Sequence, residues 1–439
     1  MSTSVSPFVE SMQAAAAGLA APTGPAWLSA ARRAALDEFA QRGLPDTHNE
    51  LWKYTALRAL TQRRYAAGDP AAATRAVAVD ALRLPGVEGP RIVFVNGVFR
   101  ADLSMLDDLP DGVALEPLSH ALVERPESMR FLLGSKPHAG DDGWTLLSRA
   151  LAVDGVVLRV AAGCKVAAPL QLVHVGQDSG AAAAWHLRSL IEIEAGAELA
   201  LVEHYLGDDA QGHLANVARE VTLRDHAHLD WTVVQRGSAA TTLLRRSDVT
   251  LHDDARVDFH ALELGGKLAR HEVRADLAGA RSRFQSHGAF VLHGRQHCDT
   301  EVLVTHRGRD TFSSALWRGV ADDRARGVVH GRILVLPGAD GADGSFYNKN
   351  LLLSPNAEID TRPALEIYAD EVKANHGATV GQLDDMMLFY LRSRGVSYAA
   401  ARDMLIRAFC AVALDGIVPA ALHDHCGALL AEQLPEAST

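Results

Sequence analysis

The chain has 439 residues, of which 48% are apolar, and 43 Lys and Arg stand against 54 Asp and Glu for a formal net charge of −11. Such a length passes the ~250–300 residues at which one compact core stops growing, so it implies several domains or one elongated repeat domain. The apolar fraction excludes wholesale disorder, and the acidic balance excludes the basic face that nucleic acid requires.

Residues 1–150 read as an N-terminal helical and mixed region. From Pro25 to Gln41, Leu28, Ala31, Ala35 and Phe39 recur at helical spacings, and Gly43 with Pro45 forms a stop signal. A second short helix is expected over 51–58. Arg91-Ile-Val-Phe-Val-Asn-Gly-Val-Phe-Arg100 reads as a hairpin turning at Asn96-Gly97.

Residues 151–380 change to short strands separated by Gly, Asp and Ala. Val221-Thr-Leu-Arg-Asp-His-Ala-His-Leu-Asp-Trp231 is repeated as Val249-Thr-Leu-His-Asp-Asp-Ala-Arg-Val-Asp-Phe259. Ile191–Leu201 and Val157–Val166 follow the same plan, and Asp276–Phe284 is a weaker copy. Each unit is an alternating strand, a tight polar turn and another alternating strand, so one face points inward and one outward. Units of this length bury a core only by stacking. The absence of a helical half excludes ankyrin, TPR and leucine-rich repeats, and a propeller blade would be longer. The pattern predicts a mainly β fold, a parallel β-helix.

Residues 381–439 return to helical periodicity. Leu383, Met387, Tyr390 and Leu391 form one stripe ended by Gly395. Ser397 is the expected N-cap of the next helix, and a last helix is expected after Pro419.

Four scattered cysteines without a C-x-x-C pair suggest a reducing compartment. The N-terminus lacks the pattern of a signal peptide, and no apolar run reaches the ~18 residues of a membrane span. A cytoplasmic protein with no membrane association is expected. No phosphate-binding loop is present: Leu264-Gly-Gly-Lys-Leu268 lacks the spacing, and Gly338–Gly344 lacks the Lys. The Gly338–Gly344 run also lacks calcium-loop spacing. No G-x-S-x-G elbow occurs, and the carboxylates are scattered. His287, His293, His297 and Cys298 are metal ligands in type, as are His423, His425 and Cys426. They lie on strand, turn and helix patterns that give no reason for them to converge.

The most specific segment begins at Asn350-Leu-Leu-Leu-Ser354 and runs through Asp360-Thr-Arg-Pro-Ala-Leu-Glu-Ile-Tyr-Ala-Asp370. It continues as Val372-Lys-Ala-Asn-His-Gly-Ala-Thr-Val-Gly381 and Leu388-Phe-Tyr-Leu-Arg-Ser-Arg-Gly395. This resembles the C-terminal signature of the SufB/SufD family of iron–sulfur cluster assembly proteins. The likeness extends upstream through Gly294-Arg-Gln-His-Cys-Asp-Thr300, His306, Gly319-Val320 and Arg326-Gly327, and to Glu50-Leu-Trp-Lys-Tyr-Thr55. The form His376-Gly-Ala-Thr-Val-Gly381 resembles the SufD branch.

The resemblance implies a right-handed parallel β-helix with helical regions at both ends. It implies a non-catalytic scaffold subunit. Its partners would be a SufB-like subunit, through the C-terminal part of the β-helix, and a SufC-like ATPase, through the C-terminal helical region. ATP hydrolysis would belong to that ATPase. No cofactor is expected to be bound stably by this chain alone, although a transient iron–sulfur cluster could form in the complex. Isolated chains are candidates for a homodimer.

Family members commonly read Lys-Cys-Ser-His where this chain reads Lys373-Ala374-Asn375-His376. In a strand, residues 374 and 376 face the same side. Ala374 offers no donor atom, so His376 alone is left as the candidate metal ligand, and thiolates would come from the partner. The bland alternative makes His376 a turn residue at a rung's end. Two other classes stay open at this point: a purely structural interaction protein without iron contact, and a carbohydrate-active β-helix enzyme.

Overall fold

The computed structural model describes residues 6–19, 25–68, 76–134, 141–208 and 212–434. Expectations placed on the first five residues and on the last five therefore lie outside the described residues. Two sheets of ten strands face each other and form a parallel β-solenoid of about seven turns. The first sheet runs from Val156–Val160 to Glu358–Ile367, and the second from Leu170–Gln177 to Lys373–Gly381. Along the solenoid the chain alternates between them, so its parallel neighbours within a sheet lie one full turn away. The antiparallel pairs, Arg91–Val95 with Val98–Phe99 and Val113–Pro117 with Val156–Val160, sit at the N-terminal end.

The repeat predicted from sequence is the rung of this solenoid. Val221 pairs with Val249, and Ile191 pairs with Val221, in unbroken parallel register. Each passage from the first sheet to the second holds a residue in the left-handed region. They include Gly163, Gly196, His226, Asp254, Arg281 and Asp310. These residues stack: the His226 N–H donates to the Asp253 carbonyl, and the Asp254 N–H to the Ala280 carbonyl. Asp and Gly are frequent at this corner because they tolerate positive φ at low cost.

Inward positions fall on one phase of the alternation. On Leu214–Leu223 they are Ala215, Val217, Arg219, Val221 and Leu223. The first half of the interior is thus charged as well as apolar. Arg219 pairs with Glu203, and Arg245 pairs with Glu263. Tyr205 donates to Glu203 at 2.9 Å and stacks on His174 with ring centroids 4.6 Å apart. The second half is filled by Phe290, Trp317 and Phe346, all buried.

Helices cover both ends of the outer surface. The N-terminal region contributes Pro7–Gly18, Ala26–Arg42 and Gly143–Leu151, whose apolar faces join Trp52, Trp144 and Leu214 in one cluster. Ala26–Arg42 follows Pro25 and ends at Gly43, whose φ is 68°, as its stop signal predicts. The hairpin forms as Arg91–Val95 and Val98–Phe99, with Asn96 and Gly97 both at positive φ. The helix expected over 51–58 does not form. A 3-10 turn, Glu50–Trp52, and a single turn, Arg58–Thr61, flank a bend instead. The reason is tertiary, because Trp52 and Thr55 are turned onto the solenoid.

At the other end, Asp385–Ser393, Tyr398–Ala411 and Ala420–Gln433 are helical. The Ser397 hydroxyl accepts from the Ala400 N–H at 3.2 Å, the expected N-cap. Ile406, Cys410, Leu422 and Leu429 pack on Val234, Leu262 and Val291 of the second sheet's outer face.

Candidate functional site at the open end of the solenoid

The last rung leaves two strand edges without a following neighbour, Glu358–Ile367 and Lys373–Gly381. Lys373–Gly381 pairs only with Asp343–Leu352. Its register sets Ala374 beside Gly344 and His376 beside Phe346. Gly344 and Phe346 belong to the inward column, so Ala374 and His376 stand on the inward face of a rung that no further described strand covers. His376 is consequently exposed, whereas Phe346 beneath it is buried. Alternation had placed 374 and 376 on one side, and the register agrees.

The rung below is cross-linked by side-chain hydrogen bonds. Asn348 and Asn350 are buried and hydrogen-bonded to each other. Asn348 Nδ2 also donates to the Trp317 carbonyl at 3.3 Å, and Asn350 Nδ2 to the Thr379 carbonyl at 3.1 Å. Two amides thereby tie the terminal strand to the rungs beneath it. Around this end, Tyr347, Ile367, Tyr368 and Val380 are exposed apolar side chains. Open parallel edges flanked by such groups can accept strands of another chain.

The short segments that carried the sequence resemblance meet in space or have packing roles. Trp52 is buried with the Arg270 guanidinium 4.0 Å from its ring centroid. The Thr55 hydroxyl donates to Asp299, which also pairs with Arg270. His297 Nε2 lies 3.2 Å from the same hydroxyl. Glu301 lies 3.3 Å from Arg270, and its other oxygen is 2.5 Å from His330 Nδ1. So the Trp52–Thr55 bend clamps the N-terminal region onto an ionic network of the first sheet. Burial pushes Glu301 up to about 7, against the pull of Arg270 and His330. The motif glycines have a steric role. A Cβ at Gly327 would come 2.6 Å from the Phe290 ring, and Gly319 faces the same ring.

The other histidines and cysteines do not converge. His293 turns to Gln296, while His297 turns outward to Thr55. The Cys298 thiol points inward, 3.9 Å from Thr300 Oγ1, and burial pushes it far above its ordinary value. His287 faces the Asp415 carbonyl at 3.4 Å. Burial also pushes Cys410 and Cys426 up to about 12, so neither thiol ionises readily. Cys426 is packed inside its helix contact, while His423 pairs with Asp424. Among the described residues, His376 is not part of a group of three metal-type donors.

Helix Asp385–Ser393 is mostly exposed. Only Leu388 is buried, and Met386, Met387, Phe389 and Tyr390 project outward with 56–73% exposure. Large apolar groups concentrated and exposed in this way are the kind of patch that interaction surfaces use.

Two family models match this chain: the SUF system FeS cluster assembly SufBD core domain over residues 174–409, and the SufBD protein N-terminal region over 12–172. The chain belongs to the SufBD family. Its relatives include the iron–sulfur cluster assembly protein SufD of Escherichia coli, 29% identical over 91% of this chain and 92% of that protein. SufD of Bacillus subtilis is 26% identical over 71% and 72%. A chloroplastic protein of Arabidopsis thaliana, ABCI7, is 28% identical over 69% and 65%. The SufBD core model covers the solenoid beyond its first rung and reaches into the second C-terminal helix, so the open end and the exposed helix face both fall within it. Among the described residues, no helix is long and apolar enough to cross a membrane.

Sequence reading missed the internal pairs Glu203–Arg219 and Glu263–Arg245. The phase was the available signal, since Arg219 lies two residues from Val217 and from Val221 and so shares their inward face.

Proposed function

We propose that this SufBD family chain is a cytoplasmic, non-catalytic scaffold subunit of a Suf iron–sulfur cluster assembly complex. The observation that carries this reading is the open end, with two parallel edges uncovered among the described residues and a hydrogen-bonded rung beneath them. A SufB-like subunit would pair there. A SufC-type ATPase would dock on the exposed Met386, Met387, Phe389 and Tyr390 face. Family membership displaces the carbohydrate-active reading.

The cluster is cargo on this account, and no cofactor stays with the isolated chain. His376 offers one imidazole at the partner-facing rung, and the partner supplies the thiolates that Ala374 lacks. In the absence of a SufB-like subunit, the same edges would pair two copies of this chain as a homodimer.

The test is His376→Ala in the co-expressed complex. The expected result is a complex of unchanged composition with a markedly lower yield of iron and acid-labile sulfide. An unchanged yield would remove His376 as a ligand. It would favour the second reading, a purely structural subunit without iron contact, which the donorless Ala374 supports.

A further inference from the structure

Among the described residues, the open end and the C-terminal helices leave one group of metal-type donors unused, on the outer face of the second sheet. His228 and Asp230 lie on strand His228–Arg236, and Asp258 lies on its neighbour, Arg256–Glu263. The register sets Asp230 directly beside Asp258. Like charges directly opposite on adjacent strands are destabilising and call for a cation between them. His228 Nε2 is 2.9 Å from Asp258 Oδ2 and 3.5 Å from an oxygen of Asp230. One donor atom from each of the three lies within 4.8 Å of the others.

These separations suit a metal. Two donors about 2.1 Å from a tetrahedral ion stand about 3.4 Å apart. The two His228 distances bracket that value, so small side-chain rotations would suffice. Adjacent strands of a stacked ladder hold the backbone in place. The carboxylate column is confined to these two rungs: Ala200 precedes Asp230, and Gln285 follows Asp258.

The surrounding charges leave room for a cation. Arg256 Nε is 2.6 Å from Asp258 Oδ2. Glu198 sits beside His228 in the ladder and is paired with Lys165 at 2.8 Å. Arg256 and Lys165 thus offset two of the three carboxylates, while Asp230, the third, faces His228 and feels Arg256 at longer range. Burial, and then Asp258, push Asp230 above its ordinary value against the pull of His228. Asp258 is almost covered, with 10% of its side chain exposed, while His228 and Asp230 remain open to solvent at 30%.

The geometry points to His228, Asp230 and Asp258 as a site for one divalent first-row transition ion, completed by water. One imidazole and two carboxylates suit Zn²⁺, Co²⁺ or Fe²⁺ better than Ca²⁺. The site is separate from His376 and is independent of whether the complex forms.

Co²⁺ titration of the tag-free full chain tests this by visible absorption, with Zn²⁺ as competitor. The parent should carry His48→Ala, His226→Asn, His376→Ala and His423→Ala to remove exposed competing imidazoles. The parent should saturate at one Co²⁺ per chain, and Zn²⁺ should displace it. Loss of an outer partner of a ligand costs 10–100-fold in affinity, so His228→Ala should weaken binding roughly a hundredfold. Asp230→Asn should act in the same direction, and it keeps the fold if His228→Ala does not. Co²⁺ should raise the melting temperature of the parent but of neither variant. A parent that does not saturate near one equivalent would overturn the site, as would variants that bind like the parent.

Discussion

Between Leu170 and Leu277 the solenoid interior contains Glu203, Arg219, Arg245, Glu263 and His271 among its apolar side chains. Between Arg283 and Leu352 the corresponding columns contain Phe290, Trp317 and Phe346, with Gly288, Gly319, Gly327 and Gly331 making room for the rings. Both halves use the same rung and the same register. The first sets ion pairs beside its own buried rings, Trp231 and Phe259, and those pairs stabilise only while both members are present. The second fills its volume with aromatic rings, whose bulk is accepted only where the neighbour lacks a side chain. The aromatic half lies next to the open end.

Removing one member of an internal ion pair should have the largest effect. Burial alone would raise Glu263, but Arg245 outweighs it, with help from His271, and holds Glu263 at about 2. Arg245→Met strands that carboxylate and should cost about 3–5 kcal/mol in urea unfolding. Arg245→Met combined with Glu263→Leu should recover most of the loss. Equal losses in the single and double variants would mean that the pairing does not govern this half.

The ionic clamp on the outer face should give the next largest effect. Glu301 has a folded value near 7, above its ordinary 4.5. A raised value means that its contribution is full below pH 4.5 and is lost as pH rises to 7. The loss over that window should reach at most about 3 kcal/mol. Glu301→Gln removes this slope, so the variant should gain on the parent as pH rises. Parallel stability profiles for the two proteins from pH 4.5 to 7 would contradict the assignment.

The aromatic half responds to added volume. Gly331→Ala sets a methyl group against the Phe346 ring and should cost about 1–3 kcal/mol. Gly381→Ala has nothing within 4 Å and should stay within about 0.5 kcal/mol. Phe346→Leu should partly rescue Gly331→Ala. A neutral Gly331→Ala would mean that the rings do not fill this half tightly.

The solenoid was legible because burial on one face imposes a period of two, and stacking imposes the longer repeat. Val221 and Val249 could be aligned from sequence for that reason. The terminal rung was legible in part: alternation placed residues 374 and 376 together, but not which rung would be last. The Trp52–Arg270 and Thr55–Asp299 contacts were not legible, because they join segments more than 200 residues apart and override local helical preference at 51–58. The metal-type group was hidden differently. The repeat aligns Asp230 with Asp258, but the sequence did not show that stacking would set both beside the His228 ring.

The central claim is that the open end and the exposed C-terminal helix are the joints of an assembly complex. Native mass spectrometry after co-expression with a SufB-like subunit and a SufC-type ATPase tests it most directly. The account predicts one particle containing all three chains. It predicts that truncation after Leu383 removes the ATPase bound to this chain and leaves the SufB-like subunit attached. A chain that flies alone would contradict the account, as would a truncated chain that keeps its ATPase.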